Sequence, residues 1–534
     1  MGHDNYVFSA HPCRTYNKHF QFFLLVVPFF YSLIQIATSG DQNFYMDESS
    51  RGSDLVHGTD LGPIHLYTLF HVHSAGMTCY LLQDVHPGTV NPSLLHLQHT
   101  HRSLDIWRLG GGDMLKCRRK NPNNEDDLPP LDLRMVPLLQ STCFHGVVRV
   151  ASLQLDWSLI AALVERWRPE THNFHLSMGE VTTLQDVGVL LGLPVDGDAV
   201  IYDVTPCPDM SWCSYVAELF GKDPDPKKDM NGSRVRLSFI ALCAPSRLAQ
   251  DASAYDIRFQ VLCYLVHLFG GVLFTEHSGG LFHPMFLHFI RDLDRCGDYA
   301  WGVVVLAYLY RELCKTSKKD VDEVAGCLLL LQLWAWQRLP TLAPIRISST
   351  LFDARFWEGP VAAPRGLRWL HGHSYTSTGG RTLPVIRTLL DGLGPSQVVR
   401  QFGLVQTIPV DVVYSEAAHS TNLRGNDKIR LIQKHVASTS IWAHRLDHLF
   451  VGDAIVAENA MPEYHPWYIE RTVRFISHVG TFIHRIDLMF RQISERTQDV
   501  LPDVSHFADH CRDFVREYTL HGFDEMHVEV RRAR

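Results

Sequence analysis

Groups able to do chemistry crowd into one stretch, "ERWRPETHNFHLSMGEVTTLQDVGVLLGLPVDGDAV", residues 165–200. It carries Glu165, Arg168, Glu170, His172, His175, Glu180 and Asp186. The carboxylates Glu165 and Glu170 could divide acid and base work between them. His172, His175 and Glu180 supply the ligand types of a metal site. Their spacing, H-x2-H and then a carboxylate, matches neither an i,i+4 helical pair nor a common zinc pattern. A structural reading competes at each position. Glu165 and Arg168 are i,i+3 neighbours, a common ion-pair spacing. Buried beside two tryptophans, such a pair would fix geometry and be costly to break. The histidines can pair with backbone or with Arg166 and Arg168. Glu165, Arg168, Glu170, His172, His175 and Glu180 are thus binding candidates only. No catalytic residue, metal ligand or cofactor is assigned.

These residues need elements to hold them. Asp156 can N-cap a helix running to about Trp167, with Trp157, Ile160, Val164 and Trp167 on one face. Pro169 ends it, because the residue before a proline is pushed out of the helical region. Thr182 and Gln185 read as a capping box for a second helix carrying Leu184, Val187, Leu190 and Leu191. Gly192 is its left-handed C-cap and Pro194 blocks continuation. Further apolar helices are read at Asp256–Phe274, stopping at Gly270-Gly271, and in "YAWGVVVLAYLYRELCK" and "DEVAGCLLLLQLWAWQRLP". A second helical block holds "TLPVIRTLLDGL", "PSQVVRQFGL", "DKIRLIQKHVASTSIWAHRLDHL" and the stretch from "YHPWYIERTVRF" onward. Alternating strand patterns are few. The expected fold is mostly α, a large multi-helix domain with a poorly ordered N-terminal extension. Its expected divisions are 1–100 (extension), 101–340 (first helical part), 341–384 (loop-rich break), 385–500 (second helical part) and 501–534 (tail).

Composition sets outer limits. Of 534 residues, 46% are hydrophobic and 20% charged, ordinary values for a globular chain with a large core. A formal net charge of -8 gives no chain-wide footprint for nucleic acid, so any basic groove must be local. Arg430, Arg445, Arg471 and Arg485 are the candidates for one, and "WAWQRLP" and "HPWYIERTVRFI" mix aromatics with arginine as base stacking beside phosphate contacts would. The 12 cysteines form no CxxC pair, and most sit in apolar runs such as "QVLCYLV", so they read as reduced, buried thiols. His96, His99 and His101 cluster without a cysteine or carboxylate to complete a metal set. "FQFFLLVVPFFYSLIQIA", residues 20–37, is an uncharged run just long enough to span a bilayer, preceded by Arg14 and Lys18. No P-loop, GxGxxG, GxSxG or HExxH occurs. "RLGGGD" reads as a turn.

The opening stretch, extended back to "QLDWSLIAALVERWRPETH", resembles the signature of the plant mobile domain family, also called aminotransferase-like. "LFGGVLFTEHSGG", "DYAWGVVVLAYLYRELCK", "GCLLLLQLWAWQRLP", "VVRQFGLVQTIP" and "WYIERTVRFISH" agree in order. The resemblance runs from about Ser103 to His478. It implies a mostly helical domain found in transposable elements and in host proteins derived from them. It further implies a nuclear protein tied to meristem maintenance, genome integrity or transposon silencing, with protein partners that include a phosphatase-like one. Some relatives carry a serine/threonine-protein phosphatase domain fused to this one. The chain shows none of that domain's metal-binding blocks (GDxHG, GDxxDRG, GNHE), and no lysine sits in a defensible Schiff-base context. "GEVTTLQDV" is one residue shorter than the family spacing, "TPCPDMSWCSYVAELFGKDP" departs from its pattern, and the first hundred residues have no counterpart.

The expectation is therefore a non-enzymatic nuclear interaction scaffold, without cofactor or small-molecule substrate, associating with protein partners and chromatin. Two alternatives stand beside it: a transposon-encoded accessory protein contacting nucleic acid, and a degenerate enzyme with a site around 165–186. For location, the nucleus is expected, with membrane association through 20–37 as the alternative.

Overall fold

The computed structural model describes residues 92–109, 114–119, 131–176, 183–202, 210–244, 247–346, 363–370, 373–374, 382–391, 431–448, 464–473, 476 and scattered positions within 490–513. The apolar run 20–37, Thr182, Glu180, Arg430, Arg485, the glycines of "RLGGGD" and "PSQVVRQFGL" lie outside them. The chain divides into two compact units: Met1–His86 with Thr481–Glu517, and Pro87–Gly480 with Tyr518–Arg534. In the first, Phe490 and Ala508 are buried, and the Ser494 and Ser505 hydroxyls lie 3.1 Å apart.

The second unit is mostly α, as its periodicity predicts. Its main helices are α1 (Ser103–Leu109), α2 (His145–Val150), α3 (Trp157–Val164), α4 (Leu184–Leu191), α5 (Ala254–Leu268), α6 (Trp301–Thr316), α7 (Leu328–Arg338), α8 (Leu383–Asp391), α9 (Val436–Ala443) and α10 (Tyr464–Arg471). Strands are short. β1 (Lys116–Cys117) runs parallel to β7 (Glu323–Val324) in register Cys117↔Val324. β2 (Trp167–Arg168) and β3 (Asn173–Phe174) form a hairpin in register Trp167↔Phe174. β4 (Met230–Asn231), β5 (Arg234–Arg236) and β6 (Leu281–Phe282) make an antiparallel sheet, and β8 (Ile345–Arg346) pairs with β9 (His373–Ser374).

Local signals account for several helix ends. Asp156 accepts the Leu159 N–H at 3.0 Å and starts α3. Gly192 closes α4 with φ 72°, a conformation glycine adopts without the Cβ penalty. The capping box is real but shifted: Thr183 and Asp186 form it, not Thr182 and Gln185. The shorter aspartate reaches back to the Thr183 N–H at 2.9 Å. A second reciprocal box, Ser253 with Asp256, opens α5. α5 does not stop at Gly270-Gly271. It passes into one wide π turn, Phe269–Leu273, where a Cβ on Gly270 would sit 3.1 Å from the Leu281 carbonyl oxygen. The combined stretch Ala254–Leu273 is the one described helix long and apolar enough to cross a membrane, and most of it is buried as core.

The core is continuous from α2 through α8. Trp167, Trp301 and Trp334 are fully buried, each side chain contributing at most roughly 4–6 kcal/mol by area. Phe144, Phe269 and Trp301 pack edge to face, with centroids 5.1–5.3 Å apart. The Trp301 indole N–H donates to the Cys296 carbonyl at 2.7 Å, so its polar end is satisfied inside.

Candidate functional site

The signature segment folds differently from its helical reading. α3 ends at Val164, three residues before Trp167, and the chain turns into the β2–β3 hairpin. Trp167 and Arg168 are therefore strand residues on opposite faces of the hairpin, and both are buried. Trp157, expected on the buried face, is half exposed at 50%. At the hairpin tip the His172 N–H returns to the Arg168 carbonyl at 2.8 Å, and His172 holds φ 50°. A left-handed residue that is not glycine is uncommon, and the tight tip demands it here. The His172 ring lies over Tyr310, centroids 6.0 Å apart.

The i,i+3 pair between Glu165 and Arg168 does not form, because the chain leaves the helix between them. Glu165 instead receives a two-pronged bond from Arg387 of α8, Nε to Oε2 at 2.7 Å and Nη2 to Oε1 at 2.6 Å. Parallel N–H···O bonds of this kind are the strongest ion-pair geometry. Arg166 pairs with Asp391, one helical turn further along α8, and donates to the Arg387 carbonyl at 3.2 Å. Arg168 reaches the other way: Nη2 donates to the Ser103 hydroxyl at 2.9 Å and Nη1 to the Gln98 side-chain oxygen. Glu170 accepts the Leu97 backbone N–H at 2.8 Å. Glu165, Arg166 and Arg168 are at most 1% exposed and Glu170 is 6% exposed. Three arginines (Arg166, Arg168, Arg387) and three carboxylates (Glu165, Glu170, Asp391) thus balance inside the fold, as buried charge requires.

The buried histidines complete this centre. Burial, reinforced by the nearby Arg168 charge, holds His101 and His175 well below the ordinary histidine range. Both are neutral near pH 7. His101 Nε2 sits 2.8 Å from the Trp167 carbonyl, so it carries the proton and donates. Its Nδ1 accepts from Ser103 at 2.9 Å. His175 Nδ1 accepts the Val473 N–H at 3.2 Å, and Nε2 faces the Thr171 hydroxyl at 3.3 Å. Tyr468 of α10 donates to the Leu176 carbonyl at 2.6 Å. The centre therefore ties together segments near 97–103, 165–176, 383–391 and 468–476. Among the described residues no group of three His, Cys, Asp or Glu side chains could hold a metal.

Other candidate positions fall elsewhere. Arg445 pairs with Asp196 and stacks over Trp442, 4.6 Å from the ring centre. Arg471 pairs with Glu470 at 3.1 Å and stacks over Trp467 at 5.0 Å. Each is held by a carboxylate and by an aromatic ring on its own segment.

Sequence reasoning missed a second ionic cluster, built on "TEHSGG" and α6. Arg234 pairs with Glu276, which is 7% exposed. Glu312 of α6 accepts from His277 at 2.9 Å and from Lys315. Burial pushes the Glu312 carboxyl up, but the His277 and Lys315 bonds outweigh it and leave it below the usual carboxylate value. The i,i+3 spacing of Glu312 and Lys315 was a visible signal. Asp186 was also counted as chemical, yet it serves as a cap and accepts from Arg338 Nη2 at 2.6 Å and Nε at 3.0 Å.

A mostly helical body, with the described charges of its signature paired internally, defines a helical domain protein. The plant mobile domain model matches residues 144–397, the span that contains α3, the hairpin and α8. The chain belongs to the plant mobile domain family. Three relatives from Arabidopsis thaliana resemble it. A "Serine/threonine-protein phosphatase 7 long form homolog" is 34% identical over 74% of this chain and 32% of its own length. "Protein MAIN-LIKE 2" is 28% identical over 80% of this chain and 67% of its own. "Protein MAINTENANCE OF MERISTEMS" is 27% identical over 64% of this chain and 75% of its own. The chain thus spans about a third of the first relative's length. No solved structure matches.

Proposed function

We propose that the protein is a non-enzymatic nuclear scaffold that binds protein partners in meristem maintenance, genome integrity or transposon silencing. One observation carries the reading. Glu165, Arg168, Glu170 and His175 of the signature are buried with internal partners, while apolar side chains stand on the surface of the 431–448 segment. Ile432, Val436, Ile441 and Leu446 are 45–68% exposed there, and α9 has no buried residue. Its tethers to the rest of the unit include the Trp442 indole N–H to the Gly197 carbonyl at 3.1 Å and the Arg445–Asp196 pair. An apolar surface rimmed by polar groups is the composition of a protein interface.

The relatives named for meristem maintenance support the biological setting. The relative named as a phosphatase extends far beyond the matched region. That supports a phosphatase-like partner for a chain matching only the shared part. Association with chromatin is then indirect, through such partners. The test is affinity purification of the tagged full chain from plant nuclei, with mass spectrometry, for the native protein and an Ile441→Asp/Leu446→Asp variant. The expected result is a set of nuclear proteins, a phosphatase-like one among them, that the variant loses while keeping its melting temperature. Recovery of the chain outside nuclei, or an unchanged partner set in the variant, overturns the reading.

A further inference from the structure

One asparagine of the chain precedes a glycine, Asn231 in "DMNGSR". It ends β4, directly across the ladder from Arg234 of β5. Gly232 and Ser233 make the two-residue turn between the strands. Gly232 holds φ 62°, which glycine adopts without strain. Asn231 and Gly232 are both exposed to solvent. Gly232 lies beyond the pair that closes the ladder, so its N–H is not committed to a strand bond. It also lacks the Cβ that would crowd an approach to its nitrogen. Asn173 is the contrast. Its side-chain oxygen accepts the Thr171 hydroxyl at 2.6 Å, and the residue after it is the fully buried Phe174.

We propose that Asn231 is a site of spontaneous deamidation, and that its isoaspartyl product loosens β4 from β5. The steps balance with water as the sole co-reactant. The Gly232 backbone nitrogen loses its proton to solvent and bonds to Cγ of Asn231, closing a five-membered succinimide ring. The bond from Cγ to the side-chain nitrogen breaks, and that nitrogen takes up a proton and leaves as ammonia. Water then opens the ring. Attack at Cγ restores the main chain with an aspartate. Attack at the main-chain carbonyl leaves the chain running through the side chain, an isoaspartate. One ammonia is lost and one water gained. Either product adds a negative charge opposite Arg234, whose guanidinium pairs with the buried Glu276. Residues directly opposite in a ladder share one face, so an aspartate at 231 competes with Glu276 for Arg234. The isoaspartate also adds an atom to the main chain, and Met230 then loses its register with Val235.

The test is peptide mapping of the native full chain after storage in neutral and in mildly alkaline buffer. The peptide holding Asn231 should accumulate aspartyl and isoaspartyl forms about tenfold or more faster than Asn173 changes, a barrier difference of about 1.4 kcal/mol. The rate should rise with pH, because the attacking nitrogen must lose its proton. An isoaspartate-specific methyltransferase should label this peptide in the stored native chain and not in a stored Asn231→Gln variant. In the isoaspartyl fraction, amide hydrogen exchange over residues 229–236 should be faster than in fresh protein. The proposal is overturned if Asn231 keeps its amide as Asn173 does, if aspartate forms without isoaspartate, or if exchange over 229–236 is unchanged. The native chain alone decides these outcomes, so a folding defect in the variant would not rescue or sink the idea.

Discussion

Two ionic clusters in the same helical unit use the same residue types for opposite ends. The first joins Glu165 to Arg387 and Arg166 to Asp391, with partners more than 220 positions apart in both ion pairs. The second joins Glu312 to Lys315 three residues away and to the partly exposed His277. In the first, every charged side chain is removed from water, so each depends wholly on its partner. In the second, Lys315 keeps 39% of its side chain in solvent, and water can replace what the pair loses. Distance in sequence and depth in the core decide whether an ion pair is a fastening of the fold or a minor surface term.

The largest expected effect comes from orphaning a charge in the first cluster. Arg387→Ala leaves Glu165 buried without its two-pronged partner and should cost about 3–5 kcal/mol. Urea denaturation measures it. The double variant Glu165→Met/Arg387→Leu, which removes both charges and keeps volume, should recover most of that loss. A double variant no better than Arg387→Ala would mean that packing, not the stranded carboxylate, carries the cost.

The second expected effect separates the clusters by pH. His101 and His175 have folded values depressed well below an unfolded value of about 6.5. The unfolded chain binds more protons once pH falls below that value, so stability is full above it and falls below it. Each histidine should cost about 1.4 kcal/mol per pH unit until its folded value is reached. Glu312 behaves in a lower window. Its folded value is depressed, so its contribution is present above about pH 4.3 and is lost only below it. Thermal melts between pH 7 and pH 5 should slope for the native chain and flatten in His101→Gln/His175→Gln. An equal slope in both proteins breaks this assignment.

A smaller effect tests the displaced capping box. Thr183→Ala should cost about 1 kcal/mol, from loss of the side-chain bond to the Asp186 N–H. Gln185→Ala, at the position the sequence pattern favoured, should cost a few tenths at most. The reverse ranking in chemical denaturation would restore the Thr182–Gln185 reading.

What was legible in the sequence was whatever depends on near neighbours. Asp156 as a cap, Gly192 as a left-handed stop, the mostly helical body and the family signature all follow from residues within a few positions. Glu165 and Arg168 fit a helical ion pair only while the helix continues. The hairpin begins between them because Trp167 and Phe174 bury against each other, centroids 4.9 Å apart. No local pattern names Arg387 or Asp391 as partners for 165 and 166, since that pairing exists only after α8 packs on α3. Leu97 and Gln98, placed in the extension by composition, are fixed by Glu170 and Arg168 for the same reason. The tertiary fold, not periodicity, chose which charges meet.

The smallest expected effect closes the comparison from its exposed side. Lys315→Ala removes the more solvated partner of Glu312 and leaves the His277 bond at 2.9 Å in place. An exposed partner of this kind is worth about 0.2–1 kcal/mol. The loss should shrink further as salt is raised from about 0.1 M to 1 M, where the screening length falls from about 10 Å to about 3 Å. The Arg387→Ala loss should not shrink, because no ions reach the space between Arg387 and Glu165. Denaturation midpoints of both variants at low and high salt measure this directly. If the two losses respond to salt alike, burial is not what distinguishes the clusters. The contrast would then have to rest on bond geometry alone, two-pronged at Glu165 and divided between two donors at Glu312.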